Sequence, residues 1–162
     1  MPPVLPFANE APSERVGGID PCNQGEVSVD AVPVAIFGLG AVGREVARAL
    51  MTKRGLRVVC AVDAGEAAGQ DLGAVLGLQA LGLEVASDAS ALAASGARVV
   101  VHSTGTKVVD LYHQMKDALQ AGCSIVTAAE EMVSPYTYDP EHAGLIDQLA
   151  RRHGASVLGT GL

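Results

Sequence analysis

Three glycines, Gly38, Gly40 and Gly43, stand as G-x-G-x-x-G within VAIFGLGAVGREVARAL. Twenty residues past the last of them, Asp63 closes the apolar run LRVVCAVD. These residue types at this spacing suit a dinucleotide. The first glycine allows a tight turn, the second lets a pyrophosphate approach the backbone, and the third lets a helix pack closely on a strand. Across the loop, Leu39, Ala41 and Val42 complete the set expected to bind the cofactor. The helix N-terminus there offers unpaired N–H groups and a partial positive charge to the phosphates. A carboxylate at Asp63 can accept hydrogen bonds from both ribose hydroxyls of the adenosine. It also repels a 2′-phosphate, and no Lys or Arg lies between Arg57 and Arg98. The expected cofactor is therefore NAD, with NADP left open because Arg44 could swing toward a phosphate. The plain alternative is a small-residue helix packed on a strand with no ligand.

Two further stretches end apolar runs and carry reactive groups. In HSTGTK, Ser103, Thr104 and Gly105 offer hydroxyls and backbone N–H groups to a cofactor, or form an ordinary helix-leading turn. Lys107 either reaches an anion or is solvated. In TAAEEMVSPYTYDP, Glu130 and Glu131 are adjacent carboxylates where a nicotinamide is expected to lie. Either one binds a cationic substrate amine, and so stands as a catalytic-site candidate, or it holds the loop by capping N–H groups. The four histidines are assigned no catalysis; His102, in an apolar strand, reads as a hydrogen-bonded structural residue.

The elements that position these residues alternate with a regular beat. Apolar runs at PVAIF, LRVVCAVD, LEVA, ARVVVHST, CSIVTAA and SVLGT read as six strands, separated by helical stretches. The first helix carries Val42, Val46, Ala49 and Leu50 along one face. A short helix is expected near Asp71 to Leu76, and another in SDASALAASG with Asp88 as its N-cap and Gly96 as its stop. A longer one runs from Val108 to Ala121. In YDPEHAGLIDQLARRHG, Asp139 caps a helix, Pro140 occupies its first turn and Gly154 stops it. The strands are apolar throughout, which suits a parallel sheet covered on both faces. The expectation is an α/β, doubly wound, Rossmann-type sheet of about six strands in order 3-2-1-4-5-6.

Residues 1–31 differ in composition. They hold five of the eight prolines, and five acids against one base. They are expected to form a flexible N-terminal extension, with the dinucleotide-binding domain spanning residues 32–162. The net charge of −7 argues against nucleic acid and anionic membrane as main partners. Three cysteines and no CxxC point to free thiols in a reducing cytoplasm and to no metal site. No signal peptide is legible, and no apolar run reaches the roughly 18 residues of a membrane span.

GLGAVGREVARAL, VVCAVD, GQDLGAVLGL, IVTAAEEMVSPY and HGASVLGTG, in this order, resemble the dinucleotide-binding half of the 2,4-diaminopentanoate dehydrogenase family, within the wider dihydrodipicolinate reductase-like group. The resemblance implies an NAD(P)-dependent oxidoreductase that deaminates an amino acid and passes hydride to the nicotinamide. It implies that Gly38, Gly40, Gly43 and Asp63 hold the adenosine diphosphate part, with Ser103, Thr104 and the start of the AAEE loop near the nicotinamide. In such proteins a second domain follows the GTG stretch, shapes the substrate site and usually mediates oligomerisation. The sequence stops at Leu162, so the expectation is that this domain is absent and that an amino acid substrate is held only if a second domain or subunit is supplied. A homo-oligomer is expected. A free-standing nucleotide-sensing module and an inert fragment with an exposed apolar edge remain as other readings.

Overall fold

A computed structural model describes residues 31–161. The expected N-terminal extension and Cys22 fall on residues outside that range. Six strands form one sheet: β1 (Val32–Phe37), β2 (Leu56–Val62), β3 (Val85–Ala86), β4 (Val99–His102), β5 (Ser124–Thr127) and β6 (Val157–Gly159). Their order is β3-β2-β1-β4-β5-β6, and every adjacent pair is parallel. The order runs outward in both directions from the β1–β4 junction, as the sequence leads one to expect of a doubly wound sheet.

Alternate residues of the central strands feed two separate cores. Ala35, Phe37, Cys60 and Val62 join Leu111, Met115 and Ile146 on one face. Ile36 and Ala61 join Leu39, Ala47, Leu72 and Leu76 on the other. Both faces are therefore dry, which is why these strands read as unbroken apolar runs. The thiols of Cys60 and Cys123 lie inside the first of these cores, and burial pushes both up from their ordinary value.

The helices are α1 (Ala41–Met51), α2 (Leu72–Leu76), α3 (Ala91–Ser95), α4 (Val108–Gln120), α5 (Pro135–Tyr138) and α6 (Pro140–His153). The terminal signals of α6 are realised: Asp139 accepts from the His142 amide at 3.0 Å, and Gly154 adopts φ 61° as the left-handed stop. Two expectations fail locally. In α1 the buried residues are Gly43 and Ala47, while Val42 is 46% exposed and Ala49 is exposed. Periodicity weights bulky residues, whereas a helix pressed closely on a strand touches it through its smallest ones. The N-cap of α3 is Ser90, and Asp88 instead accepts from the Ser90 amide at 2.9 Å in a turn ahead of the helix. A 3-10 turn, Glu130–Val133, and the short α5 fill a stretch that carries no helical period in its residues.

Among the described residues, no helix is long and apolar enough to cross a membrane. No group of His, Cys, Asp and Glu among them could hold a metal ion.

Candidate functional site

The strand registers align one row of residues across the sheet: Val62, Phe37, His102, Thr127 and Gly159 are neighbours in turn. Gly38, Asp63, Ser103 and Ala128 each follow a member of that row directly. The chemically interesting residues are thus gathered at the carboxyl edge of the sheet by register alone. That edge is where ligands lie in open α/β sheets.

The three glycines of the loop answer to different constraints. Gly38 adopts φ 99°, and a Cβ there would lie 2.7 Å from Thr104 Cγ2 and 2.8 Å from the Ser103 carbonyl oxygen. A Cβ on Gly43 would overlap the Gly38 carbonyl, so α1 can sit this close to β1 only with glycine there. Gly40 is unlike both. Its φ is −67°, and a Cβ would meet nothing within 4 Å. The protein itself does not demand glycine at this position.

Gly40 is also the N-cap of α1, and no side chain among the described residues bonds the cap. Ala41 and Val42 are exposed in the first turn. An anion that brings its own acceptors to this helix start finds N–H donors, a favourable dipole and room where Gly40 lacks a side chain. A pyrophosphate fits these residues.

Asp63 lies at the end of β2, half-buried. Its Oδ2 accepts from the Leu39 amide at 2.7 Å and its Oδ1 from the Gly65 amide at 2.8 Å. The carboxylate expected to meet a ribose is therefore also a structural tie on the glycine loop. Arg44 does not extend into solvent: its Nε donates to the Leu39 carbonyl at 2.8 Å. Ser103 donates to the Gly38 carbonyl at 3.2 Å, joining the β4 loop to the glycine loop.

Glu130 and Glu131 part company. Glu131 Oε2 accepts from the Val108 amide at 2.9 Å, which satisfies one of the orphan donors at the start of α4. That is the loop-holding role left open by the sequence. Glu130 is exposed. Lys107 takes the N-cap position of α4 and is exposed as well.

His102 is structural, as read from the sequence. It is 1% exposed, with Nδ1 at 3.0 Å from Thr127 Oγ1 and Nε2 at 2.8 Å from Gln114 Oε1. Thr104 Oγ1 sits 2.9 Å from Nε2 and donates to Gln114. Gln114 Oε1 can only accept, so the ring proton resides on Nε2, and Nδ1 accepts from the Thr127 hydroxyl, whose oxygen also accepts from the Ala129 amide. Burial holds the ring below its ordinary value and hence neutral. The sequence showed the buried histidine but not this network, whose members come from β4, α4 and β5.

A family described as dihydrodipicolinate reductase, N-terminus, matches residues 32–132. The 2,4-diaminopentanoate dehydrogenase of Acetoanaerobium sticklandii is 31% identical over 137 residues, 83% of this chain and 39% of that protein. The structure of an amine dehydrogenase from Mycobacterium smegmatis is similar with TM-score 0.76 at 32% identity, over 80% of this chain and 39% of that one. GenD2 from gentamicin A biosynthesis, solved in complex with NAD, is similar in fold: TM-score 0.61 at 23% identity, over 84% of this chain and 36% of that one. The chain spans about two-fifths of the length of these relatives.

Proposed function

The chain belongs to the dihydrodipicolinate reductase N-terminal family, and from that premise we propose that it holds the cofactor for an oxidoreductase acting at a carbon–nitrogen bond of an amino acid or amine. It is a nicotinamide-dinucleotide-binding Rossmann domain. The dinucleotide, when bound, supplies a hydride acceptor or donor.

In this reading the N–H groups at the start of α1 bind the pyrophosphate, and Gly38, Leu39, Gly40, Ala41, Val42 and Gly43 shape its seat. Asp63 faces the adenosine ribose, and its charge favours NAD over NADP. Ser103, Thr104 and Gly105 line the nicotinamide side. Glu130, the carboxylate not committed to capping α4, receives the substrate ammonium. The relatives support the reaction class, since they are named for dehydrogenation of a diamino acid and of an amine. One observation carries the cofactor assignment: Gly40 is a glycine that the fold does not need, set where a phosphate would crowd any side chain.

Calorimetric titration with NADH and NADPH tests the cofactor assignment. NADH is expected to bind the more tightly. Binding of neither overturns the reading, and much tighter NADPH overturns the assignment of Asp63. The substrate class is tested by appearance of reduced nicotinamide with a panel of diamino acids and amines. We further infer a homo-oligomer, because Val133, Tyr136, Tyr138 and Leu158 are each more than half exposed on the 3-10 turn, α5 and the edge strand β6. A single monomer-sized species in sedimentation at every concentration counts against that assembly.

A further inference from the structure

Leu39 lies between the first two glycines and is 2% exposed. Both polar groups of its backbone are held from outside the loop. Its N–H donates to Asp63 Oδ2 at 2.7 Å, and its carbonyl accepts from Arg44 Nε at 2.8 Å. Asp63 comes from the end of β2 and Arg44 from the first turn of α1. The two side chains grip this residue from neighbouring elements, and the next residue is Gly40.

We propose that Asp63 is a positioning residue for the glycine loop as well as the partner of the ribose, and that the loop requires its acceptor oxygen rather than its charge. The inference rests on the reading of the loop as the pyrophosphate seat. Its physical basis is geometric. The peptides on either side of Leu39 lead into Gly38 and Gly40. An untethered Leu39 N–H would free the Gly38–Leu39 peptide to rotate, and the N–H groups behind it would lose their common aim. Arg44 fixes the opposite end of the same residue, which makes it a tether rather than a mobile phosphate ligand.

The two roles separate by substitution. Asp63→Asn keeps one acceptor oxygen, for Leu39, and removes the charge together with the second acceptor, which serves the Gly65 amide. Asp63→Ala removes both oxygens and the charge. A hydrogen bond to a charged acceptor is worth about 1.5–3 kcal/mol, a factor of roughly ten or more in an equilibrium. In the free protein, amide exchange at Leu39 followed by NMR is expected to stay protected in Asp63→Asn and to speed up at least about tenfold in Asp63→Ala. In titrations, Asp63→Asn is expected to weaken NADH less than Asp63→Ala does and to move the NADPH:NADH preference toward NADPH. Asp63→Ala is expected to weaken both dinucleotides about tenfold or more.

Unchanged Leu39 exchange in Asp63→Ala overturns the proposal, as does equal NADH affinity in the two variants. Fast exchange at Leu39 in Asp63→Asn overturns the claim that the acceptor suffices. Failure of the parent to bind either dinucleotide refutes the functional reading, while the exchange measurement still decides whether Asp63 holds the loop.

Discussion

At the scale of single residues, the loop glycines make opposite predictions for one chemical change. Gly38→Ala forces a side chain to φ 99° and against Ser103 and Thr104, and a loss of about 1–3 kcal/mol in denaturant unfolding is expected. Gly40→Ala meets open space. A weaker N-cap costs about 0.5–1 kcal/mol, and the stiffer unfolded chain returns about as much. Its stability should match the parent while NADH titration heats vanish, because the added methyl stands where the pyrophosphate would lie. The adjacent glutamates divide similarly. Glu131→Ala uncaps α4 and is expected to cost about 1 kcal/mol, whereas Glu130→Ala should leave the unfolding midpoint unchanged. The identity of the loop residues was legible because each glycine stands at a required spacing. Which glutamate caps was not, since that depends on where α4 starts in space relative to the β5 loop.

At the scale of elements, Asp71 holds more than the helix it precedes. Its Oδ1 accepts from the amides of Gly73, Ala74 and Leu81, and its Oδ2 from Gly82 and Leu83. The carboxylate therefore caps α2 and also pins the return of the chain into β3, where Asp71 bridges Glu84. Asp71→Ala is expected to lower the thermal midpoint more than Asp88→Ala, whose carboxylate accepts from Ser90 and Ser87 alone. Equal midpoints would show that the 81–83 segment is held by other contacts. A short helix near Asp71 to Leu76 was legible in the sequence. The grip on residues ten to twelve positions later was not, because a loop closing on itself leaves no periodic trace. The same reason hides the 3-10 turn and α5. By contrast, α6 was legible to the residue, since Asp139, Pro140 and Gly154 each act within one turn of their own position.

At the scale of the whole molecule, acid should destabilise the fold in two stages. Burial holds His102 below 6.5, so the unfolded chain takes up its proton first, and stability falls as pH drops through 6.5 toward the folded value. Asp71, Asp88 and Asp139 are held below 3.8 by the hydrogen bonds they accept, chiefly from Leu81, Ser90 and His142. Their contribution is full above 3.8 and is lost as pH falls from there through their folded values. Thermal midpoints measured from about pH 7.5 to about pH 3 should decline below neutrality before the steeper carboxylate fall; a flat stretch down to about pH 5 would mean that His102 is charged in the fold. The sheet order was legible from the strand–helix beat, because right-handed crossovers leave few arrangements for parallel neighbours. The two dry faces have one more consequence. Cys60 on β2 and Cys123 beside β5 are shut away and held as thiols, so an alkylating reagent can reach them only when the centre of the sheet comes apart. Their labelling rate is then a built-in clock for breathing of the core, and saturating dinucleotide should slow it.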